Sequence, residues 1–591
     1  MGKRIEDYSL LGNGQTAALL SREGSIEWLC WPRFDSDACF ASLLGTPENG
    51  EWSIAPTQAV IRRVRRYQQD TLVMETDLVT ADGAVRLIDF MPVIAERNAV
   101  IRIVVGLHNT VRLRCALRLR FDYGLLAPWM SVADGMALAT RGPDVIALRS
   151  DAPLTLQNGS IVSDFDIREG ERVGFALSHA ASHGLASQPI DAEAALLATQ
   201  QYWRRWVSAF DNSRTSWPGP VRRSLLTLKA LIHASSGAMV AASTTSLPEA
   251  PGGSLNWDYR YCWLRDTCFA LVALLNAGFH EEARAWRDWL VRTIACSPEH
   301  IAIMYRVDGS RRLEESLIGW LGGYRYAQPV RVGNSAAHQQ QVDVFGEVID
   351  CLDIARRGGL PSTAEDDFIE TRIVEHLEKV WNTPGSGIWE SRSTPRHYTY
   401  SRVMAWVAME RYITHRAHEP AYAALVARLK PVRDQIHREV CEEAWNEGRG
   451  SFTRYYGSDE LDGSLLLMPL VGFLPANDAR MLSTIEAIRR ELTEDGLIRR
   501  RRRGSNEPSE GTFLACSCWM ADCLHMLGRH NEARAQFDRV LEVANDVGLL
   551  AEQYDAQRDE LAGNFPQALS HLAVINTALG LSGPTLQRGG G

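Results

Sequence analysis

The pattern of apolar and polar positions changes period once along the chain. Through the first third, short apolar runs such as Ala59-Val-Ile, Thr71-Leu-Val-Met, Ala84-Val-Arg-Leu-Ile and Val100-Ile-Arg-Ile-Val-Val are spaced by turn residues, as β-strands are. Val111 to Phe121 alternates apolar with polar, which suits an antiparallel strand with one buried face. Many such strands in succession predict a sandwich. Near Asp191 the period becomes helical, beginning with a linker helix from Ala192 to Phe210. The expected division is a β-sandwich over 1–190, a linker over 191–215 and a helical domain over 216–591.

From Val221 onward twelve helices are predicted, over 221–242, 266–276, 280–296, 338–358, 362–382, 398–418, 420–446, 462–474, 477–492, 510–529, 530–545 and 564–581. Links after the even-numbered helices are mostly short, such as Ala277-Gly-Phe and Gly528-Arg-His-Asn. Links after the odd-numbered ones are long and rich in Trp, Tyr, Gly and acids. In a ring of alternating antiparallel helices, all odd-to-even links emerge at one end. Decorated loops at one end and tight turns at the other predict an (α/α)6 barrel with a single mouth. No repeat of fixed period supports a helical solenoid instead.

Composition narrows the partners. The chain has 591 residues, 45% of them hydrophobic, enough for two or more packed domains. A charged fraction of 23% and a net charge of -9 argue against nucleic acid or a membrane surface as the main partner. The one basic run, Arg499 to Arg503, lies between Glu494-Asp495 and Glu507 and reads as a solvated loop. Eleven scattered cysteines, with Cys516 and Cys518 too close for a zinc knuckle and no histidine pair, read as buried reduced thiols. The first residues place acids where a signal peptide needs an apolar core, and no apolar run is long enough to span a bilayer. A cytoplasmic location is expected.

The long loops carry the candidate chemistry. Asn256-Trp-Asp-Tyr-Arg-Tyr-Cys-Trp-Leu-Arg-Asp266 sets four aromatics beside Arg265 and Asp266, flat apolar faces with polar edges of the kind that sugar rings require. The alternative is that these aromatics are core and Asp266 caps a helix. Trp320-Leu-Gly-Gly-Tyr324 and Pro329-Val-Arg331-Val-Gly-Asn334 suit a loop wrapped around a ligand, or equally a glycine-rich turn. In Gly387-Ile-Trp389-Glu390, a carboxyl following a tryptophan in a tight turn can be held protonated against an apolar ring, though a lone glutamate in a loop is usually just solvated. Glu552, in Gly548-Leu-Leu-Ala-Glu-Gln-Tyr-Asp555, follows an apolar run and is a candidate for partial enclosure, the alternative being a surface charge. Glu510 opens a predicted helix, where it is either a site acid or, more simply, an acid favoured by the helix dipole. Every one of these aromatic–acid clusters falls in a loop of the same parity.

With these residues assembled, the sequence resembles the bacterial branch of glycoside hydrolase family 15, which contains glucoamylases, glucodextranases and trehalases. The matching stretches are Ile5-Glu-Asp-Tyr, Gly24 to Ser36, Thr244-Thr-Ser-Leu-Pro-Glu249, Asn256 to Asp266, Pro329 to Asn334, Gly387 to Glu390, Gly548 to Asp555 and Gly563 to His571. They run in order along nearly the whole chain. The resemblance implies an N-terminal super-β-sandwich joined by a linker to an (α/α)6 barrel. It implies Glu390 as general acid, Glu552 as general base, and Arg265 and Asp266 as ligands of the non-reducing glucose. Tyr261, Trp263, Trp320 and Trp389 become the stacking walls, Arg331 a further substrate contact, and Glu510 a position near the base.

The implied reaction is inverting and exo-acting, releases β-glucose from an α-glucoside, and needs no metal or organic cofactor. Trehalose is expected as substrate ahead of α-1,4 or α-1,6 gluco-oligosaccharides, because short N-terminal signatures of this kind accompany family members assigned as trehalases. An inverting disaccharide phosphorylase shares the architecture but needs no catalytic base. A non-catalytic glycan-binding protein is expected to have lost Glu390 or Glu552. The sandwich is left with three roles: packing on the barrel, shaping the mouth, or making the contact of a homodimer.

Overall fold

The computed structural model describes residues 3–93, 98–181, 189–502, 510–586 and 588; Arg503 and Glu507 of the basic run lie outside them. The N-terminal part consists of two eight-stranded antiparallel sheets. Strand Thr110–Arg118 alternates exposed and buried positions, as its sequence predicts. Strand Asn98–His108 lies between Arg172–Ala181 and Ala84–Phe90 and is buried on both faces for most of its length, which accounts for its unbroken apolar run. The arginine within that run is also buried. Arg102 pairs with Asp89 at 2.6 Å and donates to the carbonyls of Trp52 and Gly24 at 2.7 and 2.8 Å, tying one sheet to the other. Helix Ala192–Val207 starts where the Asp191 carboxylate accepts from the amides of Glu193 and Ala194, both at 3.0 Å. It lays Ala195 and Leu196 against Ile88, Phe90, Ile101 and Ile103 of the second sheet.

The helical part is a double ring. Leu264–Ala277, Asp343–Arg357, Thr399–Arg416, the segment 463–470, Leu514–Met526 and Ala568–Gly580 neighbour one another in a closed inner circle. Pro218–Leu231, His280–Ile294, Ala364–Val380, Ala423–Glu443, Ala479–Leu492 and His530–Glu542 form the outer circle. The burial patterns follow from this placement. Leu514–Met526 is buried on nearly every side and carries apolar residues all round, whereas His530–Glu542 buries only Ala533, Phe537 and Val540. The short links join inner helices to outer ones, as at Gly278, whose φ of 91° ends the helix before it. The long links all lead into the N-terminal ends of inner helices, at one end of the barrel.

One predicted helix is corrected. Over 462–474 the chain forms only a 3-10 turn, Gly463–Leu466, and one α-turn, Leu467–Leu470. Pro469 withholds an amide there, and Gly463 packs so near Cys516 that an added Cβ would lie 2.6 Å from its sulfur. At the end away from the long loops, Arg588 enters the ring and pairs with Glu347 and Asp350 at 2.5 and 2.8 Å, all three buried.

The sandwich grips the first long loop. Asp258 and Arg260 are fully buried and pair at 2.7 Å. Arg260 also donates to Tyr123 Oη at 2.9 Å and to the Ser36 carbonyl at 2.7 Å, both in the N-terminal domain. Removing one partner of a buried ion pair strands the other charge and costs about 3–5 kcal/mol. Arg260→Met is therefore expected to lower unfolding free energy by that amount in denaturant titration, and Asp258→Asn in the same chain to recover much of it. A single Arg260→Met variant as stable as the wild type overturns this account of the seam.

Candidate active site

The long loops enclose a cavity of about 240 Å³ among the N-terminal ends of the inner helices. Trp257, Tyr259, Trp389 and Phe513 wall it, and Glu249, Glu390, Glu510 and Glu552 line it together with Arg265 and Arg500.

Glu390 is placed by a strained turn. Its amide bonds to the Gly387 carbonyl at 3.0 Å, with Gly387 at φ 69° and Glu390 itself at φ 54°. A Cβ on residue 387 would come 2.6 Å from the Tyr398 ring, so only glycine fits there. Glu390 Oε1 accepts from the Trp263 indole at 2.5 Å and lies 3.5 Å from Arg265 Nη1. Burial raises this carboxyl above the usual range, with Arg265 and the indole opposing. The preceding Trp389 donates to both oxygens of Asp462, at 2.8 and 3.0 Å.

Glu552 is 4% exposed and arrives on the link that precedes Ala568–Gly580. Its Oε1 accepts from Tyr259 Oη at 2.8 Å, while Oε2 has no hydrogen-bond partner among the described residues. Burial, reinforced by the negative charge of Glu249, pushes its carboxyl well up; Arg500 opposes them.

Arg500 organises the opposite wall. It donates to Glu510 Oε2 at 2.7 Å and to Glu249 Oε2 at 2.5 Å, and Arg501 donates to Glu510 Oε1 at 2.8 Å. Against the effect of burial, the two guanidiniums hold Glu510 down at about 2. The basic run therefore reads differently in the structure: Arg500 is largely enclosed in the cavity wall, its side chain 12% exposed. Glu510 is likewise not a dipole-favoured acid, since the following helix begins four residues later, at Leu514.

The candidate residues divide into three groups. Glu390, Glu552, Arg265, Trp389 and Glu510 line the cavity. Trp263, Asp266 and Arg331 stand behind its wall. Asp266 accepts from Arg265 Nε at 3.0 Å, and Arg331 lies 4.4 Å from the Trp257 ring centroid while pairing with Glu315. Tyr261 and Trp320 are outside the lining: Tyr261 is buried, and Trp320 is 44% exposed with its indole bonded to the Tyr123 carbonyl at 3.0 Å. The stacking wall is made instead by Trp257 and Tyr259, from the same aromatic loop as Tyr261, together with Trp389 and Phe513. Trp257 is held between Arg331 and Arg392, the latter 4.0 Å from its centroid; both guanidiniums pair with Glu315. Glu249 and Tyr259 were within the motifs read from the sequence, but nothing in their spacing marked them as inward-facing.

Comparison with known proteins finds relatives along nearly the whole chain. The profile of glycosyl hydrolases family 15 matches residues 220–579, and a trehalase-like N-terminal profile matches residues 1–152. A trehalase of Thermoplasma volcanium is 34% identical across 99% of this chain and 94% of its own length. A trehalase of Mycobacterium tuberculosis is 34% identical across 97% of this chain and 89% of its own. A bacterial glucoamylase solved in complex with acarbose superposes with a TM-score of 0.76, at 14% identity, over 99% of this chain and 95% of that one; it shares the fold.

The turn at Gly387 gives a direct test. Gly387→Ala introduces a clash with Tyr398 at a positive φ, a strain of about 1–3 kcal/mol. The expected result is a lower melting temperature and displacement of Glu390, seen as loss of the Trp263 indole hydrogen bond by NMR. An unchanged indole resonance counts against the turn as the device that aims Glu390.

Proposed function

The chain belongs to glycosyl hydrolases family 15, and on that footing we propose that it is an inverting, exo-acting hydrolase whose substrate is trehalose. Glu390 acts as the general acid and Glu552 as the general base. The observation that carries this reading is the different hold on two carboxyls in one cavity. Glu390 is clamped by an indole N–H, and burial raises its carboxyl, the direction that suits a group giving a proton to the glycosidic oxygen. Glu552 is fixed through one oxygen by Tyr259, which leaves Oε2 to accept from a substrate water. Inversion requires such a water between the base and the anomeric carbon, on the face opposite the acid, with the carboxyls roughly 6.5–9.5 Å apart. Arg265, backed by Asp266, is set to bind glucose hydroxyls, and Trp257 and Trp389 to face the ring. Trehalose is favoured over α-1,4 and α-1,6 glucans because the relatives from Thermoplasma volcanium and Mycobacterium tuberculosis, each 34% identical along nearly the whole chain, are trehalases.

Time-resolved NMR on trehalose is expected to show equal initial amounts of α- and β-glucose, since inversion at one of two identical α-centres leaves the other glucose α. Maltose, isomaltose and short dextrins are expected to be turned over far more slowly. Glu390→Gln and Glu552→Gln should each lower kcat by about 10²–10⁴-fold. Faster turnover of isomaltose or a dextrin overturns the substrate assignment, and glucose 1-phosphate formed in phosphate buffer overturns hydrolysis.

A further inference from the structure

We propose that Glu249, held by Arg500 and Gln553, is a positioning residue for Glu552: the charge it keeps beside that carboxylate sets how strongly Glu552 draws a proton from the substrate water. This rests on the reading of Glu552 as the base.

Glu249 lines the cavity yet is only 2% exposed. Its Oε2 accepts from Arg500 Nη2 at 2.5 Å and from Gln553 Nε2 at 2.9 Å. Gln553 adjoins Glu552 in sequence and begins a short strand, Gln553–Asp555, paired to Thr512–Phe513. Glu249 is thus bonded to the residue beside the base. The charged and titratable groups around Glu552 come from four elements. Glu249 and Tyr259 lie on the first long link, Arg265 at the start of the first inner helix, and Arg500 on the link before Leu514–Met526. Glu390 completes the set across Tyr259.

Arg500 is shared between Glu249 and Glu510, and Arg265 between Asp266 and Glu390; both draw the Glu552 carboxyl down, against burial and Glu249, which prevail. Burial raises the Glu249 carboxyl as well, but Arg500 and Gln553 oppose that rise, and a like charge held there acts on Glu552 with little solvent screening. A merely structural Glu249 needs only an acceptor oxygen for Arg500 and Gln553, and glutamine supplies one. Glu249→Gln therefore separates charge from scaffold.

The test uses α-glucosyl fluoride and the Glu390→Gln chain. Fluoride departs without a general acid, so the rate reports the ionisation of the base alone. Adding Glu249→Gln is expected to move the acidic limb of kcat/KM down by about one pH unit or more, a tenfold weaker hold on the proton. The plateau rate should fall several-fold as the base weakens, and Glu249→Asp should bring the limb back toward its original position. Circular dichroism and melting confirm the fold of each variant. An unmoved limb in folded Glu249→Gln overturns the proposal. So does complete loss of fluoride hydrolysis at every pH, which would make Glu249 the base itself. Glu552→Ala supplied with azide separates the two readings, because a missing base lets azide attack and yields β-glucosyl azide. No azide product removes Glu552 as base, and this proposal with it. Azide product together with an unmoved limb removes only the role of Glu249.

Discussion

The structure depends on one buried ion pair. Asp258 and Arg260 have no access to solvent, and such a pair is tolerable only when every remaining donor and acceptor finds a partner. Arg260 finds them in the sandwich, at Tyr123 and Ser36; Asp258 finds one at the Gly333 amide, 3.1 Å away on the next long loop. Between and beside these two charges stand Tyr259, which holds Glu552, and Trp263, which holds Glu390. The two carboxyls are therefore aimed by a loop whose shape neither domain fixes alone. Of the three roles left open for the sandwich, packing against the barrel to shape this loop is the one these contacts describe.

Within the cavity, the same residue type is brought to different states by its neighbours. Two guanidiniums draw Glu510 down to about 2. Glu390 meets one guanidinium at longer range and an indole, and burial prevails. Glu552 has a second carboxylate for company and is pushed further in that direction. Sites that move protons in both directions rely on such divergence, obtained here with arginine, glutamate and burial.

Much of this was legible beforehand. The change of period near residue 191 and the alternation of short and long links are direct imprints of a sandwich and a double ring, because burial repeats every two residues in one and every three to four in the other. Glu390 and Glu552 were candidates among others by their loops and were singled out by the family resemblance. The wall did not. In the loop from Asn256 to Asp266, Trp257 and Tyr259 face the cavity while Tyr261 turns away from it, and an irregular loop has no period to announce which. Arg500 was hidden by its basic neighbours, whose run resembled a solvated stretch. Its burial is decided by Glu249, some 250 residues distant in the chain. The interrupted inner segment 463–470 carries apolar residues like a helix, and the close approach of Gly463 to Cys516 is a tertiary fact.

The plug that Arg588 forms in the far end of the ring determines how material moves. With Glu347 and Asp350 sealed around it, the barrel is a cup and not a tube. Whatever enters must leave by the rim where it came in, so arrival of the next molecule waits on departure of the last. A chain cannot be threaded through such a vessel.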